Sequence, residues 1–232
     1  MILTILPSWE GAGASMISCN LAVALSQLGE KTLLVDGNLE APRVHDILGV
    51  IPTLDDFGET LDGENNVEEA IIDGAYPNLS ILSGKMEFRD KDEDLFKFSD
   101  LIRDLGKDYA TVLVDGPGRT EEEWATGLRP ADAAVLVSTT ASHTIMTALK
   151  IKRVAQGMNR GLRGIIVNKA LTGMSWMADE IEAYMGIPAL AILPLDEKVG
   201  ECLLKGKPIV VKYPESIVSQ ELVKIARKLL EN

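Results

Sequence analysis

The chain has 232 residues, 46% of them hydrophobic, which suffices for one domain with a substantial core over 1–232, and no composition break divides it. Acidic residues outnumber basic ones by 35 to 23, a formal net charge of -12 concentrated in 54–74 and 86–104, and this speaks against non-specific binding to nucleic-acid phosphates or anionic lipid, both of which need clustered Lys and Arg. Cys19 and Cys202 fit no CxxC or Cys/His ligand spacing and no run of about 18 apolar residues occurs, so a reduced, cytoplasmic protein without a membrane span is expected.

The opening run "MILTIL" is too short, and lacks the basic flank, to be a signal peptide; it predicts a first strand. After it, Ile17, Leu21, Leu25 and Leu28 recur at helical spacing, with Gly29 as a stop. Further near-continuous Val/Ile/Leu runs follow in "KTLLVD", "NLSILSG", "ATVLVDG", "AAVLVST", "GIIVNK" and "ALAILP", the pattern of strands covered on both faces. The irregular stretch 52–77 predicts loops over one sheet edge with a short helix at 67–72, and further helices are predicted at 93–105, 143–158, 174–185 and 216–230. Alternating strands and helices of this kind give an α/β fold, a doubly wound, mainly parallel sheet with helices on both faces. Ligands on such sheets bind beyond the carboxyl ends of the strands.

At the first such end lies "SWEGAGASM", residues 8–16. A dinucleotide loop would place its glycines directly off the strand and a third glycine where Met16 stands, although Asp36 does end the second strand as that fingerprint asks. Pro7, Ser8, Trp9 and Glu10 instead intervene before the first glycine, giving a wider loop of the kind that wraps a phosphate. Gly11, Gly13 and Ser15 hold the backbone and hydroxyl positions of a phosphate-binding loop, while Ala14 stands where its lysine belongs. A plain turn remains open on this loop alone. Asp36 and Asp115 both end strands near Ser15, and such oxygen ligands suit Mg²⁺, although a strand-end Asp can simply start a turn.

Six segments in order carry a closer likeness: "MILTILPSWEGAGAS", "KTLLVDGN", "TVLVDGPG", "ADAAVLVSTTASHTIMTALKIKRV", "GIIVNK" and "ILPLDEKVGECLLKGKPIVVKYPES". Over nearly its whole length the chain resembles the MinD/ParA family of deviant Walker P-loop ATPases. The resemblance implies a nucleotide, ADP or ATP with Mg²⁺, held by Gly11, Ala12, Gly13, Ala14, Ser15 and Met16. It implies base contacts from Asn168, Lys169, Pro194 and Asp196, and a metal corner of Ser15, Asp36 and Asp115.

Family members carry KGGxGK[ST], with one lysine reaching the opposite subunit's nucleotide and a second on the same subunit's phosphates. Here Trp9, Glu10 and Ala14 occupy the first lysine, the next glycine and the second lysine, and Asn38 replaces the aspartate that helps activate water. An amide is no carboxylate base. At roughly 1.5–3 kcal/mol for each charged hydrogen bond, two lost lysines weaken triphosphate binding by about 3–6 kcal/mol. Losing a preorganised charge costs about a hundred- to thousandfold in rate.

The expected protein is therefore a degenerate, non-hydrolysing or weakly nucleotide-binding relative that serves as a spatial-organisation or assembly scaffold. It would act as a homodimer, or as a heterodimer with an active relative. The alternatives are a slow or partner-activated ATPase, in which Arg43 or a partner's lysine supplies the cation, and an NAD-type protein. Trp9 is expected to pack in the cleft or an interface rather than stack on a base. His45 and His143 form no ligand cluster, and Met146, Met158, Met174, Met177 and Met185 are expected as core filler. The final helix matches the family's last packed helix, with no membrane-targeting helix in cis.

Overall fold

The computed structural model describes residues 1–52, 67–85, 90–171, 173–174 and 177–231. Eight strands form one sheet: β1 (Ile2–Pro7), β2 (Thr32–Asp36), β3 (Ile71–Tyr76), β4 (Leu79–Leu82), β5 (Thr111–Asp115), β6 (Ala133–Ser138), β7 (Gly161–Ala170) and β8 (Ala189–Pro194). Their spatial order is β3-β4-β2-β5-β1-β6-β7-β8, and every pair is parallel except the antiparallel β3–β4 edge. Each of the seven predicted runs forms a strand. The central strands β1, β2, β5 and β6 are buried nearly throughout, as their unbroken apolar sequences require.

Helix α1 (Ala14–Gln27) follows β1, and its residues from Met16 to Ser26 are buried. It is enclosed between the sheet and a layer made of α2 (Val44–Leu48), α9 (Ile209–Lys212) and α10 (Ile217–Leu230). Polar residues inside α1 are satisfied locally: Ser18 and Asn20 donate to the carbonyls of Ala14 and Met16, and Asn20 Oδ1 accepts from the Val210 amide. The apolar face of α10, with Leu222, Ile225, Ala226 and Leu229 buried, lies in this layer.

The opposite face carries α4 (Lys91–Leu105), α5 (Glu121–Leu128), α6 (Ser142–Gly157) and α7 (Met177–Met185), while a short α3 (Val67–Ala70) precedes β3 and α8 (Glu197–Leu204) follows β8. Among the described residues no helix is long and apolar enough to cross a membrane.

Three expectations are corrected. The predicted helix at 67–72 ends at Ala70, and Ile71 and Ile72 instead begin the edge strand β3, whose mixed exposure hides it as a strand in the sequence. The predicted helix at 174–185 starts at Met177; residues 175 and 176 lie outside the described residues, as do 53–66 of the irregular stretch, with part of the first acidic run. The segments 121–128 and 197–204 are helices α5 and α8, capped by the Thr120 and Asp196 side chains on the amides of Glu123 and Lys198. Of the methionines, Met185 is buried in the core, while Met146 is exposed and accepts from the Tyr184 hydroxyl.

The predicted stripe on α1 divides on the same observation, since Leu21 is fully buried and Leu28 is 37% exposed. Leu21→Ala is expected to lower unfolding stability by about 2–5 kcal/mol, and Leu28→Ala by less than about 1 kcal/mol, in urea titrations. Equal losses would contradict this enclosed placement of α1.

Candidate nucleotide site

The β1–α1 loop is built by backbone geometry. The Ala12 amide donates to the Trp9 carbonyl at 3.0 Å, closing a turn with Gly11 in its third position at φ 82°, where a type II turn needs a positive φ. Gly13, at φ 95°, is the residue from which α1 starts. A Cβ on Gly13 would lie 2.4 Å from Asn168 Nδ2, so the end of β7 packs directly on the loop.

Two consecutive side chains of β7 then hold two consecutive loop carbonyls. Asn168 Nδ2 donates to Ala12 O at 2.8 Å, and Lys169 Nζ donates to Gly11 O at 2.6 Å. Lys169 has φ 59°, a left-handed backbone that costs a non-glycine residue roughly 1–3 kcal/mol and persists only where its surroundings enforce it.

Helix α1 begins with no side-chain cap and no acid in its first turn, whereas α4, α5, α8 and α10 are capped by Asp90, Thr120, Asp196 and Ser216. Uncapped first-turn amides at a positive helix end suit an anion. The Ser8 hydroxyl in this loop is buried and has no hydrogen-bond partner among the described residues. An orphaned buried hydroxyl and an uncapped helix start fit a polyanion such as a nucleotide's phosphates.

Asp36 and Asp115 sit opposite each other in the β2–β5 register, both buried. Asp36 Oδ2 accepts from the amides of Arg43 and Val44 at 2.7 and 2.8 Å and from Ser83 Oγ at 3.3 Å, while Oδ1 accepts from the Asn38 amide at 3.1 Å. Asp36 therefore anchors the start of α2. Asp115 faces α1: Oδ1 accepts from Ser18 Oγ at 2.8 Å, and the Ser15 hydroxyl of the same helix acts to lower the pKa of its carboxyl.

Burial pushes both acids up. For Asp115 the Asp36 charge adds to burial, against the lowering by Ser15 and Ser18, and its pKa rises to about 7. The Cys19 thiol beneath them is raised by burial and then by both carboxylates. With the Asp36 oxygens engaged by α2 and Ser83, the Asp115 carboxylate and the Ser15 hydroxyl are the oxygens that fit a hard divalent cation sharing its shell with phosphates.

The base residues expected from sequence converge as well. Gly13, Met16, Asn168, Lys169, Pro194 and Asp196 line one cleft of about 320 Å³, completed by Leu195, Glu197, Val199, Gly200 and Leu203. The last four belong to α8, and the i, i+4 pair Val199 and Leu203 on one helix face is the signal that sequence reading passed over.

Other expected residues fall elsewhere. Trp9 does not line this cleft; it is 54% exposed and stands edge-on to His143, with ring centroids 5.1 Å apart. Asn38 lines a separate cavity of about 440 Å³ with Pro117, Arg119, Glu123 and Arg129. Arg43 is exposed at the start of α2. His45 Nδ1 meets Ser83 Oγ at 3.0 Å, and no group of three His, Cys, Asp or Glu side chains able to hold a metal occurs among the described residues.

Residues 10–209 match the model of the CobQ/CobB/MinD/ParA nucleotide-binding domain. The chain belongs to this family. Among its family relatives, an ATP-binding protein of Methanocaldococcus jannaschii is 30% identical over 232 residues, 97% of this chain and 86% of its own. The septum site-determining protein MinD of Synechocystis is 25% identical, the match covering 98% of this chain and 88% of that protein. Among solved structures of the family, MinD of Pyrococcus horikoshii complexed with Mg-ADP superimposes with TM-score 0.86 at 27% identity, covering 98% of this chain and 95% of that one. MinD in the MinC:MinD complex of Aquifex aeolicus shares the fold, with TM-score 0.86, 23% identity and coverage of 100% and 96%.

With its pKa raised from 3.8 to about 7 in the folded protein, Asp115 binds its proton more tightly folded than unfolded, so its contribution to stability falls as pH rises from about 4 to about 7. In Mg²⁺-free buffer Asp115→Asn is expected to remove that decline, seen as a smaller difference between urea midpoints at pH 5 and pH 8. An unchanged difference would refute the burial argument.

Proposed function

We propose that this protein binds ADP or ATP with Mg²⁺ weakly at the start of α1, hydrolyses ATP very slowly or not at all, and serves as a dimeric spatial-organisation or assembly scaffold. The reading rests on one observation: the loop keeps the backbone form of a phosphate cradle while the residues that would carry its cations are Trp9 and Ala14. Ala14 is the buried first residue of α1, and Glu10 is the exposed second residue of the turn. The degenerate character of the phosphate loop is part of this proposal.

Binding is supported by what side-chain replacement leaves in place. First-turn amides, the Ser15 hydroxyl and the Asp115 carboxylate need no lysine to attract a magnesium nucleotide, and the cleft at Asn168 and Pro194 has room for a base. Mg²⁺ at this corner would neutralise phosphate charge. The M. jannaschii relative is named as ATP-binding, and the P. horikoshii structure holds Mg-ADP. Slow hydrolysis is argued from Asn38 and the lost cations, because rate depends on charge preorganised where the transition state develops it.

A dimer and a protein partner are supported by exposed apolar side chains on the loop side. Trp9, Leu171 and Leu195 lie exposed just beyond the carboxyl ends of β1, β7 and β8, and the A. aeolicus MinD structure is a complex with MinC. The intact Ser15–Asp115–Ser18 corner favours a second reading, an ATPase turned on by a partner that supplies the cation. The dinucleotide reading has less support, since amide donors and Ser83 already engage both oxygens of the Asp36 carboxylate that would hold a ribose.

Calorimetry with MgATP, alongside phosphate release, tests this. The wild type is expected to bind weakly and turn over at least a hundredfold more slowly than ordinary family ATPases. Ala14→Lys is expected to tighten MgATP about ten- to hundredfold. Turnover at the ordinary rate by the wild type alone would sink the scaffold reading.

A further inference from the structure

We propose that Lys169 is the cation that this chain presents to a bound nucleotide's phosphates, supplied from the end of β7 instead of from the loop itself. This rests on the nucleotide reading above and adds the residue that makes it work without Ala14 being a lysine. Lys169 is tied to the loop by the hydrogen bond from Nζ to Gly11 O, across 158 positions of sequence. Its Cε lies 4.0 Å from where a Gly13 Cβ would be, so the side chain runs along the turn that opens α1.

Three features separate this placement from a simple staple. An ammonium carries three donors, and a single bond to Gly11 O leaves two for an anion. The side chain is exposed, so the ammonium can exchange a neutral carbonyl for a phosphate oxygen, a charge-assisted partner roughly twice as strong. The contacts of Lys169 with Gly11 and Gly13 put its side chain beside the uncapped start of α1, where an anion is favoured. Neighbouring Asn168 holds Ala12 O and packs on Gly13, so the loop keeps a second brace when Lys169 moves.

Titration of the full chain with inorganic tripolyphosphate plus Mg²⁺, and separately with MgADP, tests this on wild type, Lys169→Gln and Lys169→Arg. The glutamine amide can still donate to Gly11 O, so it removes the charge and keeps the brace. Lys169→Gln is expected to bind tripolyphosphate about ten- to hundredfold more weakly, and MgADP correspondingly less well, with Lys169→Arg within about threefold of wild type. Tripolyphosphate binding unchanged in Lys169→Gln would overturn the inference and leave the nucleotide reading standing. A wild type that binds MgADP but not tripolyphosphate would do the same. A wild type that binds neither would overturn both.

Discussion

Parallel pairing of β2 with β5 puts Asp36 and Asp115 side by side, and both carboxylates are buried. Two acids in that position cannot both ionise cheaply without compensation, and the surrounding segments are arranged to supply it. Asp36 takes the first amides of α2 together with Asn38 N and Ser83 Oγ, which fixes the path of 38–44 over the strand ends. Asp115 takes the Ser18 hydroxyl of α1, which ties that helix, and therefore the loop in front of it, to the neighbouring strand. The loop, α1 and α2 are thus located by one electrostatic corner that still lacks a full counter-charge.

The loop's form, in contrast, does not depend on the side chains at positions 9, 10 and 14. It is made by a turn closed between Trp9 and Ala12, by Gly13 packed on Asn168, and by the enclosure of α1 between the sheet and α10. None of these contacts uses a side chain at positions 9, 10 or 14. The geometry therefore stands whatever side chains occupy those positions, and a close match in fold says little about turnover.

Much of this was legible in the sequence. Buried parallel strands advertise themselves as unbroken apolar runs, and all seven such runs are strands, whereas β3, "IIDGAY", is an exposed antiparallel edge with neither a run nor a clean alternation. The helices α5 and α8 each have only 8 residues, too few to build a periodic signal, and Thr120 and Asp196 alone mark their starts. At the site, Gly13, Asn168, Lys169, Pro194 and Asp196 line one cleft because the parallel sheet aligns the segments that follow β1, β7 and β8. The bonds that join them were illegible. Asp36 turning to α2 and Lys169 reaching Gly11 are tertiary contacts, and nothing in the local sequence at either end announces them.

The same contrast bears on what nucleotide binding can do here. A helix start attracts phosphate through backbone amides, which no substitution at Ala14 or Trp9 abolishes, whereas hydrolysis needs side-chain charges in fixed places. Affinity and turnover are therefore separable in this fold, and loss of one does not require loss of the other. A chain that binds without turning over has no hydrolytic step to reset it. Any change of state must then follow the local supply of nucleotide or of a partner, at an energy no larger than the difference in affinity between its two states. Weak binding makes that difference small. A scaffold of this kind would be read out most effectively at an interface, where exposed Trp9, Leu171 and Leu195 border the same loop side as the phosphate cradle and add their burial to the nucleotide's modest contribution.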